Sequence, residues 1–253
     1  MAARAPYRVL VIDDEQVVLD ASARLLLAEG FEVMAALDAE TGIALAQSES
    51  PDLAVVDLKL PGMSGLDFLD RATSSGKRLR VILTTGISSA DQAVAALSRG
   101  AFDFLPKPFT YEELMSPIAR ACRDIEFTER GEGRGAPDDP ELLFLGRQAW
   151  ARPEGGSVRL GASHSFQRNA GKILEVIPPG ISVELGQGGT LARVRTEDER
   201  WHVVLAAVGG RVSMVNGRLI NAPHLLNTEP WGSGWIAEVQ TSELYRDLAN
   251  LSR

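Results

Sequence analysis

Several residues in the first half of the chain stand where they could do chemistry together. The apolar run Val9-Leu10-Val11-Ile12 stops at Asp13-Asp14-Glu15, and the run Leu53 to Val56 stops at Asp57. A third run, Arg80 to Thr84, ends in Thr85, and Phe102 to Leu105 is closed by Pro106-Lys107-Pro108. Buried parallel strands read as continuous apolar runs, and open α/β sheets hold their reactive groups at the carboxyl edge of such strands. Three carboxylates on one edge repel one another unless a cation joins them. A hard divalent ion with oxygen ligands, Mg²⁺ or Mn²⁺, meets that need. A carboxylate beside such an ion and a lysine can attack a phosphoryl group, because the two cations offset the charge on the equatorial oxygens. The Thr85 hydroxyl could then donate to the acyl phosphate. Singly, each residue has a plainer role: Asp13 as a helix cap, Lys107 as a solvated surface charge, Phe104 as core.

The elements that would position these groups alternate. After the first strand, Val17, Val18, Ala21, Leu25 and Leu26 recur at helical spacing up to Gly30. Phe31 to Ala36 reads as a second strand and Ala39 to Ser48 as a helix, broken at Ser50-Pro51. Pro61-Gly62 turns the chain after Asp57, and Gly65 to Ala72 is helical. Arg80 to Thr85 is a fourth strand, Asp91 to Arg99 a helix ended by Gly100, and Phe102 to Leu105 a fifth strand. Thr110 and Glu113 have the spacing of a capping box for a last helix. Alternating strands and helices predict a doubly wound parallel five-stranded sheet with helices on both faces.

Motif order and spacing over about residues 7 to 128 resemble the receiver domain of bacterial two-component response regulators, a flavodoxin-like fold. The residues that carry the resemblance are Asp13-Asp14, Asp57 with Leu60-Pro61-Gly62-Met63-Ser64-Gly65, Thr85-Gly86, and Gly100 to Phe109. The resemblance implies that a sensor histidine kinase phosphorylates Asp57. It implies Mg²⁺ held by Asp13, Asp14, Asp57 and the Lys59 backbone carbonyl, with Thr85 and Phe104 as the switch pair and Lys107 as the phosphate contact. Such a domain is a phosphoacceptor switch, its chemistry limited to its own phosphorylation and dephosphorylation. Gly86 stands where the family most often has alanine. Pro117 falls inside the last helix and predicts a kink or loosening there. That helix belongs to the face through which many receivers dimerise, so a homodimer stays open and Pro117 weighs against it.

Composition narrows the partners. The chain has 253 residues, room for two domains, and a formal net charge of -8. An acidic chain without a Lys/Arg stripe has no electrostatic reason to bind nucleic acid or anionic membrane. One cysteine, Cys122, rules out an internal disulfide framework. No apolar run is long enough to span a bilayer and the start lacks a signal-peptide core, so a cytoplasmic protein is expected.

Glycine, proline and charge dominate residues 129–140, which read as a flexible linker between a domain at 1–128 and one at 141–253. In the second half, short apolar runs alternate with glycine turns: Ser157 to Leu160, Lys172 to Ile177, Ser182 to Leu185, Thr190 to Val194, Trp201 to Ala206, Arg211 to Val215 and Trp235 to Val239. They predict a small, mainly β sandwich or barrel with a C-terminal helix from Ser242. Gly186-Gln187-Gly188-Gly189 lies between strands and has no lysine, so it is no phosphate loop. His164, His202 and His224 fall on separate elements and read as structural or exposed.

The order Trp150, Glu154-Gly155-Gly156-Ser157-Val158-Arg159-Leu160-Gly161, Phe166-Gln167-Arg168, Gly171-Lys172-Ile173, Gly210-Arg211-Val212 and Trp231-Gly232 to Ile236 resembles the H-protein of the glycine cleavage system. That implies a lipoyl-carrier, barrel-sandwich hybrid fold over about residues 142 to 250. The carrier lysine would fall at the hairpin tip Thr196-Glu197-Asp198-Glu199-Arg200, near Glu199, but no lysine follows Lys172. Arginine offers no amine that can form the amide. No lipoate is therefore expected, and the domain reads as a module that binds an unidentified protein. An alternative keeps the metabolic link: the domain competes with true H-protein for a glycine-cleavage or lipoate enzyme. The acidic tip reads either as a docking contact or as a solvated turn.

Overall fold

Residues 6–74, 79–86, 90–130, 139–242 and 244–252 are described by a computed structural model. They form two compact units. One comprises Met1–Ser88 and Arg99–Leu114, the other Ser89–Ser98 and Met115–Arg253. Most of the linker expected at residues 129–140 lies outside the described residues.

In the first unit the apolar runs become β1 (Arg8–Ile12), β2 (Glu32–Ala36), β3 (Leu53–Asp57), β4 (Arg80–Thr85) and β5 (Asp103–Pro106). All pair in parallel, in the order β2-β1-β3-β4-β5. Every residue of β3 and β4 is buried, which explains why neither strand alternates apolar with polar. Helices α1 (Gln16–Ala28), α2 (Ala39–Ser48) and α3 (Gly65–Ser74) connect the strands. The order reverses between β1 and β3, and a crevice opens at the carboxyl ends of strands at such a switch point. Asp13 and Asp57 stand at those two ends.

Helix α4 (Ala90–Ser98) belongs to the second unit, and α5 (Tyr111–Glu129) begins in the first and continues in the second. The capping box forms as predicted: Glu113 Oε2 accepts from the Thr110 amide at 2.8 Å, and Thr110 Oγ1 accepts from the Glu113 amide at 3.2 Å. Pro117 sits within α5 without ending it; the helix runs on to Glu129.

The second unit is mainly β. One antiparallel sheet has the order β10-β13-β14-β8-β7-β6, from Glu184–Leu185, Gly210–Val215, Ala237–Gln240, Ser157–Ala162, Ala149–Glu154 and Leu143–Leu145. The other is β12-β11-β9, from Trp201–Leu205, Thr190–Thr196 and Ile173–Ile177. Short helices α6 (His164–Ala170), α7 (Arg218–Asn221) and α8 (Leu225–Thr228) fill the connections. The expected C-terminal helix is α9, five residues from Leu244 to Leu248. Val94 and Leu97 of α4 share one core with Leu160, Val194, Val204 and Ile236. All four tryptophans of the chain lie beyond residue 149.

Strand β7 is absent from the sequence expectation because Pro153 argues against it. The proline is tolerated because β6 pairs only with Ala149 to Ala151, leaving Pro153 bonded on one side alone. Among the described residues no helix is long and apolar enough to cross a membrane.

Candidate functional site

Asp57 ends β3 buried, and its carboxylate is held from two directions. The Lys59 amide donates to Asp57 Oδ2 at 2.6 Å, and Lys107 Nζ lies 2.6 Å from Asp57 Oδ1. The same ammonium lies 2.5 Å from Asp13 Oδ2. Lys107 is placed by its own backbone, since its amide donates to the Thr85 carbonyl at 2.7 Å. One cation thus bridges the ends of β1 and β3 from the end of β5. Burial works against the Lys107 charge, but its hydrogen bonds to Asp13 and Asp57 prevail and hold the ammonium above the ordinary lysine value. Burial pushes the Asp13 carboxyl up, against the pull of Lys107. The two directions agree with one ammonium shared by two buried acids.

The structure brings Asp13, Asp57 and Lys107 together, with Thr85 fully buried at the end of β4. Asp14 stands exposed beside them, and among the described residues no group of three or more His, Cys, Asp or Glu is gathered as a metal cluster. Phe104 is half-buried in β5. The donor set nonetheless suits a hard divalent ion: two buried carboxylates and a third exposed one, all oxygen, with a cation already drawn between the buried pair. Lys59 was expected to act through its carbonyl; the contact seen is its amide. An aspartate accepting from the amide two residues on is a turn the Asp57-Leu58-Lys59 sequence permits, which was the missed signal.

Gly65 opens α3 directly against this turn. A Cβ there would stand 2.3 Å from the Asp57 carbonyl oxygen. Gly65→Ala is therefore expected to displace the Asp57 turn and, if Asp57 accepts a phosphoryl group as the sequence resemblance implies, to slow its labelling by about tenfold or more. Unchanged labelling kinetics would count against the close approach. Gly86, by contrast, has open space where a Cβ would go.

In the second unit, Glu199 sits exposed at the hairpin tip between β11 and β12, in the left-handed region at φ +62°. Its Oε2 pairs with Arg195 NH1 at 2.8 Å. Lys172 is exposed. His164 is half-buried, His224 exposed, and His202 buried to 1%. Burial, and then the Arg120 guanidinium, push the His202 pKa down to about 2. Below the ordinary value of 6.5, the unfolded chain binds a proton there that the folded chain refuses. Stability must therefore fall as pH drops below that value, by roughly 1.4 kcal/mol per pH unit. Urea unfolding followed by tryptophan emission at pH 7 and pH 5 should show this loss, and His202→Gln should flatten it. An equal loss in the variant would remove His202 as its source.

Comparison with known proteins supplies family context. Residues 9–119 match the family described as response regulator receiver domain, and residues 142–252 match the family described as glycine cleavage H-protein. "Response regulator MprA" of Mycobacterium sp. (strain KMS) is 36% identical over 140 residues, 55% of this chain and 58% of that protein. "Probable transcriptional regulatory protein TcrX" of Mycobacterium tuberculosis is 38% identical over 128 residues, 51% of this chain and 55% of that protein. The matches thus span little more than half the length of these curated relatives. A solved response regulator receiver domain protein from Clostridium thermocellum is 32% identical, with a TM-score of 0.46 over 48% of this chain and 98% of that one.

Proposed function

We propose that this chain, which joins a response regulator receiver domain at residues 9–119 to a glycine cleavage H-protein domain at 142–252, is a phosphorelay switch whose output is protein binding. The observation that carries the reading is the Lys107 ammonium held between Asp13 and Asp57. Asp57 is the phosphoacceptor. One of its carboxylate oxygens attacks phosphorus, the phosphorus–nitrogen bond to the imidazole of a histidine kinase breaks, and the imidazole leaves with the electron pair. Lys107 then follows the charge onto the new phosphoryl oxygens. Thr85 donates its hydroxyl to them, and Phe104 moves inward behind it. A divalent ion at Asp13, Asp14, Asp57 and the Lys59 carbonyl would neutralise charge on the phosphoryl oxygens.

The second domain acts as an unlipoylated binding module, since the tip around Glu199 offers no amine. The chain is not an enzyme beyond its own phosphoryl chemistry, and neither nucleic acid nor membrane is a partner. The H-protein match favours a second reading, in which the module competes with true H-protein for a glycine-cleavage or lipoate enzyme. Direct binding of a purified cleavage-system enzyme separates it from the first.

Acetyl phosphate with Mg²⁺ should add one phosphoryl group to the intact chain, lost again on standing as the acyl phosphate hydrolyses. A chain whose mass stays unchanged under conditions that label another receiver would end the phosphoacceptor reading.

A further inference from the structure

The tip of the β11–β12 hairpin is not free. One face of α5 carries Ser116, Arg120, Arg123, Asp124 and Phe127, spaced so that all meet the rest of the second unit. Arg123 NH2 pairs with Asp198 Oδ2 at 2.7 Å, and its NH1 donates to the carbonyls of Asn169 and Ala170. Arg120 NH1 reaches His202 Nδ1 at 2.7 Å and Ser116 Oγ at 2.9 Å.

The protonation pattern follows from the arginine. A guanidinium only donates, so His202 Nδ1 accepts and the imidazole proton sits on Nε2. Thr196 Oγ1 lies 3.2 Å from Nε2 and accepts that proton's hydrogen bond. The Thr196 hydroxyl in turn donates to Asp198 Oδ1 at 2.6 Å. Burial opposes the Asp198 charge, but the Thr196 hydroxyl and Arg123 hold its pKa down at about 2. The contacts close a ring from Arg120 through His202, Thr196 and Asp198 back to Arg123, with both ends on α5.

The attachment has two grades. Asp124 is fully buried and accepts from Asn169 Nδ2 at 3.1 Å, a bond buried at both ends, and from Arg147 NH2 at 2.9 Å, the arginine itself being 39% exposed. The Arg123–Asp198 pair lies at the rim, its side chains 29% and 25% exposed. Rim pairs break at far lower cost than buried ones.

We propose that α5 is a latch on the β11–β12 tip, anchored at Asp124 and opened at Arg123–Asp198, and that its opening is the regulated step by which this chain changes its binding surface. The regulated half rests on the phosphoacceptor reading of Asp57; the latch itself does not.

The test is hydrogen–deuterium exchange on the full chain at the Thr196, Glu197 and Glu199 amides, which are bonded to Arg200, Lys172 and Thr196 carbonyls. Arg123→Ala should speed exchange at these amides by about tenfold while β8 stays protected, and Asp198→Asn should do the same without adding to it. Beryllofluoride with Mg²⁺ should speed them in the wild type and not in Asp57→Asn, with the fluorine resonance of bound beryllofluoride read in parallel. Unchanged tip exchange in Arg123→Ala overturns the latch. Bound beryllofluoride with an unchanged tip overturns its regulation while leaving the phosphoacceptor reading intact. No bound beryllofluoride overturns that reading and the regulated half with it, while Arg123→Ala still decides the latch.

Discussion

Asp57→Asn is expected to abolish phosphoryl labelling from acetyl phosphate or from a kinase. The amide keeps the volume of the side chain and can still accept from the Lys59 amide, now 2.6 Å from Asp57 Oδ2. What it loses is the charge and the nucleophilic oxygen. Lys107 would stay drawn to Asp13, 2.5 Å away, so the site should keep its shape and the loss would be chemical rather than structural. Labelling is read as intact mass with Mg²⁺ present, and far-UV circular dichroism of the full chain serves as the folding control, because the tryptophans lie outside the unit that holds Asp57. Labelling of the variant at the wild-type rate would sink the assignment, and mapping the modified peptide would then decide between Asp13 and Asp14.

The second large effect is expected at Asp124. Its side chain is fully buried and faces Arg147, Arg168 and Asn169. Removing the carboxylate takes away the charge that both Arg168, only 16% exposed, and Arg147, 39% exposed, face. It also takes away the acceptor of the Asn169 Nδ2 bond. Breaking one side of a buried ionic cluster costs roughly 3–5 kcal/mol. For Asp124→Ala this should lower the urea midpoint of the second unit by roughly 2 M, given slopes of about 1–3 kcal/mol per molar for small domains. Tryptophan emission reads that unit alone, because every tryptophan lies in it. A midpoint within a few tenths molar of wild type would mean that α5 adds little to the stability of this unit.

Much of the first unit was legible in the sequence because its signals are local. The runs ending at Ile12, Asp57 and Thr85 are buried strands that cannot alternate; Asp13 follows the first at the sheet edge, and Asp57 and Thr85 close the other two. Thr110 and Glu113 announce the start of α5 three residues apart. The polar face of α5 was not legible. Nothing local marks Arg120, Arg123 and Asp124, because their partners His202, Asp198 and Arg147 lie 23 to 82 residues further on. Strand β7 hid behind Pro153, and α6 behind a seven-residue length too short for periodicity. Its cap was readable all the same: Ser163 Oγ accepts from the Phe166 amide at 3.0 Å.

The placing of α4 and the later part of α5 in the second unit bears on how such chains can be recombined. A chimera joined at the glycine-rich stretch after Arg130 would give the H-protein domain a foreign helix pair. Val94, Leu97 and Asp124 would be replaced while the residues that receive them stayed behind. The two halves of chains on this plan should therefore not exchange freely at the linker. Exchange should succeed where the incoming helices bring an aspartate at the position of Asp124 and apolar residues at those of Val94 and Leu97.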